Sequence, residues 1–149
     1  MKFTVSSSAL FGHLQAISRV INSKNALPIL DCFLFEIQDG LLTITVSDSE
    51  TTMVTSVEVN DCDMNGRFAV TARTLLDALK EIPEQPLTFE VNDTMEIIVK
   101  YQNGKYSLMG QNADEYPQAT GLGNNAVHVD LVFDFCDIIE KILDFIPVP

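Results

Sequence analysis

The chain has 149 residues, 46% apolar and 20% charged, with 21 Asp and Glu against nine Lys and Arg for a net charge of −12. Such a composition belongs to a folding chain of one domain, or one domain and the start of another, and excludes a disordered or collagen-like protein. It also excludes an evenly basic coat that binds nucleic acid non-specifically, though not a local basic patch on an acidic body.

In chain order, Lys2, Phe3, Thr4 and Val5 alternate as a strand with Phe3 and Val5 on one face. Leu10, Leu14 and Ile17 then make one stripe of a helix, which Ser6 or Ser7 is placed to cap. Pro28 lies past the helical pattern. Phe33, Phe35 and Ile37 alternate along a second strand, Asp39-Gly40 turns it into Leu42, Ile44 and Val46, and residues 53–59 supply a further strand.

The series then repeats. Arg67, Phe68, Ala69 and Val70, followed by Leu75, Leu79 and Ile82, stand 65 positions after their counterparts in the first strand and helix. Thr71 takes the capping position and Pro83 follows the helix. Leu87, Phe89 and Val91 match Phe33, Phe35 and Ile37 at an offset of 54. Asn92-Asp93 turns that strand into Met95, Ile97 and Val99, and residues 105–108 close the unit after Asn103-Gly104. The predicted class is α+β: a duplicated β-α-β-β-β unit, with repeats at about 1–60 and 66–110 and two helices on one face of antiparallel sheets.

Residues 111–126 hold Asn112, Pro117, Gly121, Gly123, Asn124 and Asn125 without periodicity and read as linker. Asp130, Leu131, Val132 and Phe133 with Ile138, Ile142 and Phe145 match the second unit at an offset of 63. Residues 1–118 are therefore expected to form a first domain, and 119–149 a linker with the incomplete start of a second.

Catalytic chemistry finds no constellation here. His13 and His128 are the only histidines, and His13 is expected on the exposed helix face with no nucleophile beside it. Asp48-Ser49-Glu50 lacks calcium-loop spacing and reads as a turn, so a small hydrolase using Asp48 and Glu50 is the weakest functional reading. Gly121-Leu122-Gly123 is half a dinucleotide fingerprint but follows no strand. Cys32, Cys62 and Cys136 are odd in number and spaced for neither disulfides nor zinc, which points to buried thiols in a reducing compartment. No signal-peptide stretch or membrane-spanning apolar run occurs, so a soluble cytoplasmic protein is expected, with no membrane partner, and Asn92-Asp93-Thr94 reads as a turn. Neither a metal nor a cofactor is called for.

Binding is better supported. Arg19 and Lys24 fall at and beyond the end of the first helix, and Arg73 and Lys80 on the second. A basic helical face would guide a polyanion to one surface, while the plainer reading has Arg19 and Lys80 complementing their helix C-termini. Spacing leaves both open. In the strand at 105–108, Tyr106 and Leu108 share one face and Lys105 and Ser107 the other, an expected edge exposing an apolar pair.

Five segments now carry a resemblance: Met1-Lys2-Phe3-Thr4-Val5, Leu27-Pro28-Ile29-Leu30, Val46-Ser47-Asp48-Ser49-Glu50, Val70-Thr71-Ala72-Arg73 and Ala113-Asp114-Glu115-Tyr116-Pro117. In order and spacing, over about residues 1–120, they resemble the first domain of the bacterial DNA sliding clamps, the beta subunits of DNA polymerase III. The resemblance implies the DNA-clamp fold and a non-catalytic accessory subunit of the replicative polymerase. Such a subunit encircles duplex DNA as a homodimeric ring and confers processivity, with the polymerase and a clamp loader as partners. It implies DNA contacts at Lys24 and Arg73, and pairing across a protomer boundary through Lys105, Tyr106 and Leu108. Family members run to more than twice this length, so the chain is expected to represent an N-terminal fragment. The alternative is an interaction module derived from a clamp domain that forms no ring.

Overall fold

The computed structural model describes residues 1–22, 24–25, 27–118 and 123–130. The chain divides into two compact units, Met1–Pro117 and Gln118–Pro149. The first contains β1 (Lys2–Ser6), α1 (Ser7–Ile17), β2 (Cys32–Gln38), β3 (Leu41–Ser47), β4 (Thr52–Glu58), β5 (Gly66–Thr71), α2 (Ala72–Lys80), β6 (Pro86–Val91), β7 (Glu96–Tyr101) and β8 (Gly104–Gln111). In the second, Ala126 N–H donates to the Gly123 carbonyl, and an exposed His128 lies 2.9 Å from Asp130. The strand and helix expected at 131–145, together with Cys136, Lys141 and the Gly121-Leu122 pair, lie outside the described residues. No helix among the described residues is long and apolar enough to cross a membrane.

The halves are not self-contained. Strand order is β1-β6-β7-β8-β5-β2-β3-β4, all antiparallel, so each half's first strand pairs with the other half's hairpin. Phe3 lies opposite Phe89, and Phe68 opposite Phe35. These two pairs are related by the sequence offsets of 65 and 54. The Phe3 and Phe89 rings stack at 5.0 Å, Phe35 and Phe68 meet at 5.1 Å, and Phe35 joins the two pairs at 6.5 Å from Phe89. Leu10, Leu14 and Ile17 of α1, with Leu75 and Leu79 of α2, complete this core. Burying an aliphatic side chain of this size stabilises by about 1.5–3 kcal/mol.

Turns and caps follow from local chemistry. Asp39 and Gly40 both take positive φ, the two-residue turn that matches strand twist. The Asn92 side chain accepts from the Thr94 and Glu96 N–H groups, which makes the sequon a hairpin turn. Ser6 caps α1 by accepting from Ala9 N–H. Ser7 instead is buried, donating to the Pro83 carbonyl and accepting from Gln85 N–H. Thr71 stands at the N-cap of α2 without a capping bond; its hydroxyl engages the Cys32 thiol on the paired strand.

Two expectations are corrected. His13 is half-buried, with Nδ1 2.6 Å from the Thr55 hydroxyl, because α1 packs on β4 as well as on the interior. Strand β2 is buried on both faces from Cys32 to Phe35, not on alternate residues. Its outer face carries a satellite core of Ile29, Leu30, Cys32, Leu34, Ala69, Ala113 and Tyr116. Two segments of the resemblance, far apart in sequence, meet there: the 3-10 turn Pro28–Asp31 and the 3-10 turn Ala113–Glu115.

Candidate nucleic-acid interface

The two equivalent strands, β1 and β5, run directly into α1 and α2, and the helices pack against each other. Helix α1 turns Leu10, Leu14 and Ile17 inward and presents Ser8, Gly12 and Gln15, with no charged residue anywhere along it. Helix α2 buries Ala72, Leu75 and Leu79 and presents Arg73, Thr74, Asp77 and Lys80. Asp77 is four residues from Arg73 and three from Lys80, so one carboxylate sits within that stripe. Beyond α1 come Arg19, in the 3-10 turn Ser18–Val20, and the exposed Lys24.

Acidic residues avoid this stretch. The first 30 residues contain Lys2, Arg19 and Lys24 and no Asp or Glu, so all 21 acids fall at position 31 or later. The motif reading passed over that asymmetry, and a running count of charge along the chain displays it.

Cations are also sorted by pairing. Three of the four on strands are neutralised: Lys2 and Lys100 lie 3.9 and 2.8 Å from Glu90, and Arg67 pairs with Asp114 and lies 3.7 Å from Glu36, whereas Lys105 on β8 makes no ion pair among the described residues. The hydrogen bond from Lys100, reinforced by the charges of Lys100 and Lys2, holds Glu90 below the usual carboxylate range. Among the described residues, the side chains of Lys24, Arg73 and Lys80 have no such partner.

Helix electrostatics separates these residues further. Lys80 is in the last turn of α2, where a cation complements the negative end of the macrodipole. Arg73 is in the first turn, at the positive end, where a cation gains nothing from the helix. Helix-end complementation therefore accounts for Lys80 and fails for Arg73.

The remaining candidates resolve differently. Asp48 uses its carboxylate to accept from the Glu50 and Thr51 N–H groups, which makes it a turn former, and Glu50 is exposed beside it. Cys32 is buried, and desolvation pushes its thiol up; Cys62 is half-buried and donates to the Met64 carbonyl. On β8, Lys105 is exposed, whereas Tyr106 and Leu108 turn inward and pack half-buried against the core. The expected outward apolar pair is thus a core-facing pair, and the exposed apolar residue of that strand is Met109.

A family model described as the DNA polymerase III beta subunit, N-terminal domain, matches residues 1–120. The beta sliding clamp of Haemophilus influenzae is 30% identical over 123 residues, 80% of this chain and 33% of that protein. The beta sliding clamp of Buchnera aphidicola from Acyrthosiphon pisum is 26% identical over 145 residues, 97% of this chain and 38% of that protein. The crystal structure of the DNA polymerase III subunit beta from Pseudomonas aeruginosa superposes with a TM-score of 0.77 at 26% identity, covering 85% of this chain and 34% of that one. The chain thus spans about a third of the length of the proteins it resembles.

Proposed function

The chain belongs to the DNA polymerase III beta subunit family, matching its N-terminal domain, and on that premise we propose that it serves as the first domain of a sliding clamp with its helical face toward duplex DNA. In this reading it is non-catalytic. It acts within a dimeric ring completed by further domains, and the replicative polymerase and clamp loader are its partners. Lys24 and Arg73 contact phosphates, and Lys105, Tyr106 and Leu108 belong to the strand that meets the next protomer. The observation carrying the proposal is the charge sorting: Lys2, Arg67 and Lys100 on strands are paired, while among the described residues the side chains of Lys24, beyond α1, and Arg73, on α2, are not.

A ring holds DNA by topology, so each domain needs few phosphate contacts and no base readout. An isolated domain is expected to bind duplex DNA weakly, with Kd about 10⁻⁴ M or higher at physiological salt, irrespective of sequence. A salt titration of duplex binding for the wild type, Lys24→Ala, Arg73→Ala and Lys80→Ala tests this. Each of the first two substitutions flattens the salt slope by about one unit, and Lys80→Ala does so less. Sequence-specific binding, or slopes unchanged in both Lys24→Ala and Arg73→Ala, overturns the proposal.

A further inference from the structure

Helix α2 carries a carboxylate that its own fold does not explain. Asp77 is exposed and opens the last turn of Ala72–Lys80, where the negative end of the macrodipole disfavours an acid. Aspartate is also a poor residue for a helix interior. Its spacing permits ion pairs with Arg73 and Lys80. Among the described residues it makes neither, and its carboxylate accepts no hydrogen bond. A cation four residues before an acid is the weaker order for a helical pair.

Other acids are accounted for locally. Asp48 forms a turn, Asp114 holds Arg67, and Glu90 holds Lys2 and Lys100. Glu84, which follows α2, accepts from the Ser8 hydroxyl in the first turn of α1. That helix has no acid of its own in its first turn, so Glu84 supplies the negative charge its N-terminus favours. Asp77 has no such structural role, and it stands in one exposed stripe with two cations.

Helix geometry sets the distances that matter. A rise of 1.5 Å per residue puts Asp77 about 6 Å along the axis from Arg73 and about 4.5 Å from Lys80. Both separations fall inside the Debye length of about 8 Å at physiological salt. A phosphate attracted by either cation therefore also meets the field of the carboxylate.

From this placement we infer that Asp77 limits how tightly the helical face holds duplex DNA, by repelling the phosphates that Arg73 and Lys80 attract. The inference rests on the DNA-facing reading of the helices and adds to it a residue that weakens the contact. The helix gives up stability to carry the acid, and the acid keeps the basic stripe from clamping onto one stretch of backbone. Since the repulsion acts on phosphates, it is independent of base sequence and is screened by salt.

The test is fluorescence anisotropy of a labelled duplex titrated with the full chain, at about 50 mM and about 300 mM salt. Asp77→Asn keeps the side-chain shape and removes the charge. It tightens binding about two- to fivefold at the lower salt, the range of one exposed charge interaction, and the gain shrinks at the higher. Asp77→Glu binds as wild type. Asp93→Asn, in the exposed turn between β6 and β7, changes net charge equally and does not reproduce the gain. Asp77 is exposed, so its variants fold, which a thermal melt checks independently. Lys24→Ala and Arg73→Ala, measured alongside, report on the face itself. If they weaken binding and Asp77→Asn leaves it unchanged, the DNA-facing reading stands and the inference is overturned. If they too leave binding unchanged, both fail. An equal gain from Asp93→Asn also overturns the inference, because net charge alone then accounts for it.

Discussion

Tyr106 shows how one side chain can sit in the right place with the wrong chemistry. Its ring packs against the core near Tyr101, but its buried hydroxyl finds no hydrogen-bond partner among the described residues. An unmet buried donor costs roughly 1–3 kcal/mol, so Tyr106→Phe is expected to leave the domain equally stable or up to about 1 kcal/mol more stable. Desolvation, with the neighbouring Tyr101 adding to it, pushes the Tyr106 hydroxyl up from its ordinary value to about 12. A raised pKa favours the protonated form in the folded state. The resulting stabilisation is complete below the ordinary tyrosine range near pH 10 and is lost as pH rises toward 12. Denaturant unfolding of wild type and Tyr106→Phe at pH 8 and pH 11 reads both effects: the stability gap widens in favour of the phenylalanine variant at the higher pH. A gap independent of pH rules out the buried, neutral hydroxyl. None of this was legible in sequence, where alternation assigned Tyr106 a face but could not say whether a partner waited there.

At the scale of elements, periodicity read the strands and helices well because each buries one face against a single interior. It failed where an element touches two neighbours. Strand β2 is covered outside by two 3-10 turns that are distant in sequence, and His13 is covered by β4. The β5–β8 seam depends on a backbone approach that no hydrophobic pattern reports. Gly110 N–H donates to the Met95 carbonyl at 2.7 Å. A Cβ added at Gly110 would lie 2.9 Å from that oxygen and 3.2 Å from the Ala69 carbonyl, both backbone atoms, one just before β7 and the other on β5. Gly110→Ala must therefore move a strand or break the seam, at an expected cost of about 1–3 kcal/mol. Chemical denaturation measures it. An alanine variant as stable as wild type would show that the seam yields easily. The candidate site divides in the same way. Arg73 was legible as a basic residue on the second helix and Lys24 as one beyond the end of the first, whereas the pairing that neutralises Lys2, Arg67 and Lys100 belongs to strands elsewhere.

For the whole molecule, the constant offsets of 65 and 54 establish which residues are equivalent but not which strands pair. A half folded on itself and a half completed by its twin have the same repeat pattern. The fold takes the second course, and its energetics follow from that exchange. Phe3 and Val5 of β1 bury against Phe89 and Leu87, and Phe68 and Val70 of β5 against Phe35 and Phe33. Cutting the chain between the halves strips each hairpin series of its neighbouring strand and opens the five-phenylalanine core. A fragment of residues 1–64 is then left with one three-stranded series and one helix, too little buried surface to offset the entropy of ordering the chain. We expect fragments 1–64 and 65–118 to show no cooperative unfolding when separate. Mixed in equal amounts, they are expected to recover a cooperative melt and slow amide exchange at Phe3, Phe35, Phe68 and Phe89. The uncut 1–118 segment, which contains every strand and both helices of the first unit, serves as the reference. A cooperative melt with strong exchange protection in fragment 1–64 alone would mean that the halves are independent folding units. The strand exchange would then be a detail of packing and not the basis of the fold.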